Sequence, residues 1–370
     1  MTTTIKNEQK KLNVPNSTDK GNAIRNVPHL RFPEFSGEWI SKTIGDIAPL
    51  QRGFDLPTGQ INNGKFPVVY SNGIMNYHSS YKCVAPGLIT GRSGTIGKFT
   101  YIEDGYYWPH NTSLWVTDFY DNNPKFIYYL YQTIRIEQYS TGSGVPTLNR
   151  NNVHRHKIFI PKLKEQNKIA TILSLLDERI ATQTKIIDKL QTLIKGIAQN
   201  IARNNRPNIR ISECLECSSS TLQESDVCEH GTYPVYGANG IVGYLDNYNT
   251  EGEAIYIIKD GSGVGAVFYV TGKCSATGTL NTLQTKKGYS LQYLYYMLKV
   301  FSFDSYKTGM AIPHIYFKDY GKAKIFCPSY TEQLQYARLL FAIDSKLLAE
   351  QIFLTNLNLQ KQYLLRQMFI

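Results

Sequence analysis

Apolar residues after Pro161 recur with alternating steps of four and three, and glycine and proline become rare. This spacing is typical of an amphipathic helix with a heptad seam. It predicts a helix from about residue 164 to 203, roughly 60 Å long for a rise of about 1.5 Å per residue. The seam consists of Ile169, Leu173, Leu176, Ile180, Gln183, Ile187, Leu190, Ile194, Ile197 and Ile201.

A second seam of the same kind follows near the C-terminal end of the sequence. A helix of this length cannot bury its apolar stripe against one small domain, so it needs another helix. We expect the two helices to pair within the chain, in opposite directions; packing on their own domains or on a second chain are the alternatives. The second seam consists of Tyr336, Leu340, Ile343, Leu347, Glu350, Leu354, Leu357, Lys361, Leu364 and Met368.

Short β-rich segments precede each long helix and are separated by Gly, Asn, Asp and Pro. FPVVYSNGI (66–74) and YPVYGANGI (233–241) share five identities at an offset of 234 − 67 = 167. The same offset relates the two helical seams, and a short slip is needed where SGTIG (93–97) faces SGVG (262–265). A fixed offset indicates an internal repeat, so residues 39–370 contain two copies of one unit.

These patterns predict an α+β (mixed α/β) fold. Two repeated domains are joined by a pair of long antiparallel coiled-coil helices with pseudo-twofold symmetry. The predicted segments are a flexible N-terminal arm (1–29), a first domain (30–160), a first long helix and spacer (161–206), a second domain (207–328) and a second long helix (329–370).

The chain is strongly basic, with a formal charge of +11 and a pI near 9.1. Such a charge favours a polyanionic partner such as DNA. No apolar run approaches the roughly 20 residues needed to cross a bilayer, and the N-terminal residues lack the apolar stretch of a signal peptide. We therefore expect a cytoplasmic protein without a membrane partner.

The cysteines raise the possibility of a zinc site, because Cys214, Cys217, Cys228 and His230 lie close together in the sequence. The repeat favours a different interpretation. At the offset of 167, the first copy has isoleucine or leucine where the second has these three cysteines. Free buried cysteine behaves as a small apolar residue, so no metal ligand is predicted.

Motifs for catalysis are absent from the sequence. GRSGTIGK (91–98) departs from the spacing of a phosphate-binding loop, and Phe99 stands where a hydroxyl is needed for magnesium. No Pro-Pro pair occurs, although amino-methyltransferases usually carry one beside the target amine. We assign no catalytic residue and no cofactor to this chain.

A stretch rich in basic and amide side chains, LNRNNVHRHK (148–157), follows the glycine-rich turn TGSGVP. Asn can read adenine edges, and Arg can read guanine or bind phosphate. Contact with DNA and a solvated loop are both open interpretations of this stretch. The candidate DNA contacts are Arg52, Asn72, Arg92, Ser143, Asn149, Arg150, Asn152, Arg155, Asn239, Lys259, Lys307 and His314.

Several segments resemble, in order, the specificity subunit of type I restriction-modification systems. They are LRFPEFSGEWISKTIGDI (30–47), TGSGVPTLN (141–149), IPKLKEQNKIATILSLLD (160–177) and CPSYTEQLQYARLLFAID (327–344). The second copy departs from the first where MAIPHIYF replaces GVPTLNRN, and Ser329 and Tyr330 replace Lys162 and Leu163. Transfer of individual residues from the family is therefore weakest in the second copy.

The resemblance implies two target-recognition domains, each reading one half of an asymmetric, split sequence in double-stranded DNA. It also implies that the paired helices bind two methyltransferase subunits and, through them, restriction and translocase subunits. AdoMet, ATP and magnesium would then belong to the partners, and this chain would direct their adenine methylation and cleavage without being a catalyst. Two alternatives are a coiled-coil adaptor that does not bind DNA and a monofunctional DNA methyltransferase.

Overall fold

The computed structural model describes residues 26–142, 144–261 and 263–370, which divide into two compact units. The first unit comprises residues 26–183 and Phe353–Ile370, and the second comprises Thr184–Ile352. Residues 1–25 of the predicted arm lie outside the described residues. At its end, Asn26 O accepts a hydrogen bond from Trp39 N.

The first unit contains two four-stranded sheets, with strand orders β2-β9-β6-β7 and β4-β3-β8-β5, and two short pairs, β1-β12 and β10-β11. Its elements are β1 (Ile40–Thr43), α1 (Ile44–Ile47), β2 (Leu50–Arg52), β3 (Phe66–Tyr70), β4 (Gly73–His78), β5 (Cys83–Val84), β6 (Gly87–Gly91), β7 (Phe99–Ile102), β8 (Tyr106–Pro109), β9 (Ser113–Val116), α2 (Pro124–Thr133), β10 (Ser140–Thr141), β11 (Thr147–Leu148), α3 (Arg150–His154) and β12 (Lys157–Ile160).

The second unit repeats this plan, with sheets β14-β20-β17-β18, β16-β15-β19 and β13-β21. Its elements are β13 (Ile209–Arg210), α5 (Ile211–Cys214), β14 (Leu215–Ser219), β15 (Tyr233–Gly237), β16 (Gly240–Leu245), β17 (Glu253–Ile258), β18 (Val267–Thr271), β19 (Ser275–Ala276), β20 (Leu280–Thr285), α6 (Leu291–Val300), α7 (Phe317–Tyr320) and β21 (Lys324–Ile325). The predicted repeat of a mixed α/β unit is confirmed.

Two long helices complete the units, α4 (Leu163–Arg203) and α8 (Tyr330–Gln367), and each contributes residues to both. Within the part of the chain that the structure describes, no helix combines the length and apolar character needed to cross a membrane.

The repeated NGI motif forms the same hairpin turn in both units. In the first, Tyr70 pairs with Gly73 across a two-residue loop, and Gly73 has a φ of +114°. In the second, Gly237 pairs with Gly240, whose φ is +103°. Side chains other than glycine resist this backbone conformation. The turn therefore explains why both copies keep a glycine here.

The strand register shows that the slip in the repeat does not lie where the sequence comparison placed it. Ser93 pairs with Thr147 and Asp260 with His314, so Ser93 corresponds to Asp260 at the unbroken offset of 167. The alignment of Ser93 with Ser262 was wrong. The second copy instead has one extra residue at the tip of its hairpin, because Thr90 pairs with Phe99 whereas Ile257 pairs with Val267.

Within the first unit, the beginning of α4 packs against the end of α8 in the opposite direction. Ile169 and Leu173 share one buried cluster with Met368 and Phe369. Further along, Lys361 Nζ lies 2.7 Å from Asp177 Oδ1, and the Arg179 guanidinium lies 5.2 Å from the centroid of the Phe353 ring. Rising numbers on α4 thus meet falling numbers on α8, which confirms the predicted antiparallel pairing in this unit.

The predicted seam residues all lie on the covered side of their helices. The buried residues are Ile169, Leu173, Leu176, Gln183, Ile187, Ile194, Ile201, Leu340, Leu347, Leu357 and Met368, and the half-buried ones are Ile180, Leu190, Ile197, Tyr336, Ile343, Glu350, Leu354, Lys361 and Leu364.

A buried glutamine ties each domain to its long helix. Gln166 Oε1 accepts a hydrogen bond from Asn123 N at 3.0 Å, and its Nε2 donates to Pro161 O at 2.9 Å. Gln333 makes the equivalent bonds, with Ser290 N at 2.9 Å and Pro328 O at 2.9 Å. Buried polar groups cost free energy unless they are hydrogen-bonded, so these bonds hold α2 and α6 against the starts of α4 and α8.

Candidate nucleic-acid interface

The first unit contains a cleft of about 710 Å³ where strands β2 and β9 meet the β10-β11 hairpin and the start of α3. Three arginines line it, and Asp55 is the single acidic side chain in its wall. We call it the first cleft. Its lining residues are Gln51, Arg52, Gly53, Phe54, Asp55, Arg92, Leu114, Thr141, Thr147, Leu148, Asn149, Arg150 and Asn151.

Arg52 is positioned at the end of β2 by a close backbone approach. A Cβ atom at Gly53 would lie 2.1 Å from His110 O, so only glycine fits there. Asp55 Oδ1 accepts hydrogen bonds from Arg52 Nη2, at 3.2 Å, and from Asn111 Nδ2. Asp55 therefore orients Arg52 while half of the arginine side chain stays exposed.

Arg92 and Arg150 reach the first cleft from different elements. Arg92 follows β6, where its N–H donates to Thr112 O at 2.8 Å and its carbonyl accepts from Leu148 N at 2.7 Å. Arg150 is the first residue of α3, whose N-terminus is capped by Asn149 Oδ1 accepting from Asn151 N at 3.0 Å. The arrangement gathers three guanidinium groups, which donate hydrogen bonds to phosphate or to the acceptor edge of guanine.

The stretch 148–157 forms helix α3 flanked by short segments, and not the loop that one of its two interpretations assumed. His154 turns inward, where its Nε2 accepts a hydrogen bond from Leu50 N at 2.8 Å. Burial, and next the charge of Arg150, lower the pKa of His154. His156 Nδ1 lies 2.6 Å from Tyr139 Oη, and burial lowers its pKa as well. Both histidines support the cleft wall and do not line it.

Acid should destabilise the first unit through His154. Because its folded pKa is depressed, its stabilising effect is complete above the unfolded pKa of about 6.5 and is lost as the pH falls below that value. His154→Ala should therefore lower the free energy of unfolding by about 1–3 kcal/mol at neutral pH, through the unpaired Leu50 N–H, and by less near pH 5. Urea titrations measure this, with His29→Ala at an exposed residue as the control. An equal loss at both pH values would contradict the role given to His154.

The second unit has a cleft at the equivalent place, with a volume of about 480 Å³. Its backbone frame is the same: Lys259 N donates to Thr279 O at 3.0 Å, and Ile315 N donates to Lys259 O at 2.9 Å. These bonds match those around Arg92 at the offset of 167. We call it the second cleft. Its lining residues are Cys217, Ser219, Lys259, Asp260, Asn281, His314, Ile315, Tyr316, Phe317 and Lys318.

The side chains of the two clefts differ at matched positions. Ser219 stands in place of Arg52, Lys259 in place of Arg92 and Phe317 in place of Arg150. The second cleft has a side-chain hydrogen bond of its own, in which His314 Nδ1 lies 2.5 Å from Asp260 Oδ1. One backbone frame therefore presents two different sets of hydrogen-bonding groups.

The structure brings half of the candidate DNA contacts into these clefts. Arg52, Arg92, Asn149 and Arg150 line the first, and Lys259 and His314 line the second.

The other candidates lie elsewhere. Asn72 and Asn239 are exposed in the two NGI turns, and Asn152 and Arg155 belong to the later part of α3 and its C-terminal cap. Lys307 pairs with Asp304 at 2.7 Å outside the second cleft. Ser143 lies outside the described residues.

Several lining residues escaped the sequence argument. In the second cleft, those with oxygen or nitrogen in the side chain are Ser219, Asp260, Asn281, Tyr316 and Lys318. The offset of 167 was a usable signal, because it relates four of them, all but Asp260, directly to Arg52, Leu114, Asn149 and Asn151. Asp260 was missed because the slip was placed wrongly, so that Asp260 was not aligned with Ser93.

The cysteines considered as zinc ligands lie in separate environments. Burial raises the pKa of Cys214 to about 12 and that of Cys217 to about 11, which opposes the thiolate that zinc requires. Cys228 is exposed, and its backbone pairs with Tyr244. Across residues 26–142, 144–261 and 263–370, no three His, Cys, Asp or Glu side chains are grouped to hold a metal ion.

Comparison with known proteins gives consistent results. The family model described as "Type I restriction modification DNA specificity domain" matches twice, over residues 36–192 and 208–353. A chain named as a type I specificity subunit in Mycoplasma genitalium is 23% identical over 363 residues, covering 90% of this chain and 94% of that one. The specificity subunit of the EcoprrI type I restriction enzyme of Escherichia coli is 27% identical over 113 residues, or 30% of this chain and 28% of that one.

A solved structure has the same fold. The crystal structure of the S subunit of a type I restriction-modification system from M. genitalium superposes with a TM-score of 0.71 and 20% identity, covering 93% of this chain and 99% of that one. Both repeats match the family model, and together the two matches take up most of the sequence. The chain therefore belongs to the type I restriction-modification DNA specificity family.

Proposed function

We propose that the first and second clefts are the base-reading sites of this DNA sequence-specificity subunit. Each unit would take one half of an asymmetric, bipartite sequence in double-stranded DNA. The observation that carries the proposal is the pair of clefts: their backbone frames correspond residue by residue, while their hydrogen-bonding side chains differ. A shared frame with different side chains is what two readers of two different half-sites need.

The chemistry of the clefts fits this role. The guanidinium groups of the first cleft are donors, which suits guanine O6 and N7 and the phosphate oxygens. In the second cleft, Lys259 donates, whereas the Asp260 carboxylate accepts. The formal charge of +11 favours the approach of DNA to both.

The long helices carry apolar side chains that fit a protein partner. Leu163 and Ile172 are exposed on α4, and their equivalents Tyr330 and Leu339 are exposed on α8. Exposed apolar groups on a helix suit association with another protein. Because the same pair recurs in each unit, we propose two copies of one partner, the methyltransferase subunit.

The catalytic steps are assigned to the partners in this proposal. The methyltransferase subunits would bind AdoMet and methylate adenine, and restriction subunits joined through them would use ATP and magnesium for translocation and cleavage. This chain would direct those reactions without catalysing them. Its proposed location is the cytoplasm, where the DNA lies.

The proposal predicts a methylated sequence that is not a palindrome. Expression with the partner subunits in a host that lacks adenine methylation should yield one motif of two different half-sites separated by unspecified bases. Sequencing that detects methylated adenine measures this directly, and a host with the partners alone is the control. A palindromic motif would show that the side-chain differences between the clefts do not set what is read.

A further inference from the structure

The second cleft contains a hydrogen-bonded couple of Asp260 and His314. His314 Nδ1 lies 2.5 Å from Asp260 Oδ1, and the two residues are also paired through their backbones. About a third of each side chain is exposed, with values of 36% for His314 and 34% for Asp260. The couple therefore lies in the cleft wall and not in the core.

The hydrogen bond to Asp260 determines which ring nitrogen of His314 is available to a ligand. A carboxylate only accepts hydrogen bonds, so Nδ1 must carry a proton. In the neutral ring Nε2 is then an acceptor, and among the described residues no hydrogen bond occupies it. The Tyr316 ring lies nearly parallel to the imidazole, with 6.5 Å between the two centroids, and the hydrogen bond to Asp260 orients the imidazole. The couple thus holds one acceptor in a fixed direction at the cleft.

The first cleft has different groups at these two positions. Thr147, which lines the first cleft, and Ser93, which follows Arg92 beside it, occupy them, and their backbones form the same antiparallel bridge. The Thr147 hydroxyl points back to Val145 O, at 3.4 Å, and the two side chains make no hydrogen bond with each other among the described residues. The frame is therefore held without a side-chain couple, so Asp260 and His314 are not needed to form the bridge.

We propose that the Asp260–His314 couple is a specificity determinant of the second half-site, where His314 Nε2 accepts a hydrogen bond from an exocyclic amino group in the major groove. Adenine N6 and cytosine N4 present such donors, whereas guanine and thymine present acceptors at the corresponding edge. Asp260 is the positioning residue, since it sets the proton on Nδ1. This inference rests on the proposed function of the clefts.

A reciprocal exchange tests the couple at matched positions. One variant, Asp260→Ser with His314→Thr, gives the second cleft the groups of the first. The other, Ser93→Asp with Thr147→His, places the couple at the matched positions of the first unit, with the histidine in the wall of the first cleft, and leaves the second unit unchanged. Each is expressed with the partner subunits, and methylated adenines are mapped. Asp304→Ala is the control, because its ion pair with Lys307 lies outside the second cleft.

The first exchange should reduce discrimination at one base pair of one half-site by about tenfold or more, with the other half-site unchanged. The second exchange should alter only that other half-site. If the wild-type chain directs no methylation, the proposed function fails, and the inference that rests on it fails with it. If it does, but both exchanges fold and retain the original motif, the couple is structural and the inference is overturned. Loss of all methylation by the first exchange leaves the second to decide.

Discussion

Replacing Arg52, Arg92 and Arg150 together by alanine should lower the affinity of the assembled complex for its cognate duplex by about 1,000-fold. The three side chains line one cleft, with Asp55 as the single acidic residue in its wall. An arginine that contacts a base contributes about 1–3 kcal/mol, and each 1.4 kcal/mol is about a factor of ten. Fluorescence anisotropy with a labelled duplex measures the change, and the salt dependence should flatten where a phosphate contact is lost.

A matched control separates position from charge. Lys42→Ala, Lys65→Ala and Lys157→Ala together remove the same charge from exposed residues of the same unit that lie outside the first cleft. This variant should retain most of the affinity. Equal losses in the two triple variants would mean that the overall charge of the chain, and not the cleft, holds the DNA.

Replacing Glu165 by alanine should destabilise the first unit by about 3 kcal/mol, because it leaves a largely buried arginine without its partner. Glu165 is 3% exposed, and it accepts hydrogen bonds from Arg31 Nε and Nη2, both at 2.8 Å. These bonds are the main cause of the raised pKa of Arg31. Trp39 Nε1 donates to the same carboxylate at 3.3 Å, so one side chain anchors the N-terminal residues to α4.

Tryptophan fluorescence during urea unfolding reports on this unit alone, because all three tryptophans, Trp39, Trp108 and Trp115, belong to it. The repeat supplies the control. Glu332 is the equivalent of Glu165, but it is exposed and, among the residues that the structure describes, accepts hydrogen bonds only from Ser329, at 3.1 Å and 2.6 Å. Glu332→Ala should leave the urea concentration at the midpoint of the tryptophan fluorescence transition unchanged. A similar loss from both variants would contradict the anchoring role of Glu165.

Local patterns were enough to predict the repeat, the two long helices and the β-rich domains. A heptad seam needs only the spacing of residues along one helix, and α4 begins within one residue of the predicted start. The NGI turn is equally local, since the φ of Gly73 depends on its own hairpin. The slip was misplaced because residue identity favoured the alignment of Ser93 with Ser262. Backbone bridges pair Ser93 with Thr147 and Asp260 with His314, so Ser93 corresponds to Asp260.

The clefts could not be read from spacing in the sequence. Arg52, Arg92 and Arg150 belong to three separate segments. They meet because the backbone of Arg92 is hydrogen-bonded to Thr112, just before β9, and to Leu148 in β11. Arg155 carries the same charge only five residues after Arg150, yet it lies at the C-terminal cap of α3 and outside the cleft. Composition does not distinguish the two arginines, whereas α3 places Arg150 at its start, in the cleft, and Arg155 at its end, outside the cleft.

The sequence by itself determined that this protein has two copies of one α/β unit and two seamed helices. The heptad period and the turn glycines are properties of neighbouring residues, and the offset of 167 follows from comparing the sequence with itself. Only the tertiary structure decided which polar side chains share a cleft and which turn inward, as His154 does toward Leu50 N. The physical reason is that strand pairing satisfies backbone hydrogen bonds between distant segments. The side chains carried by those segments are brought together as a consequence.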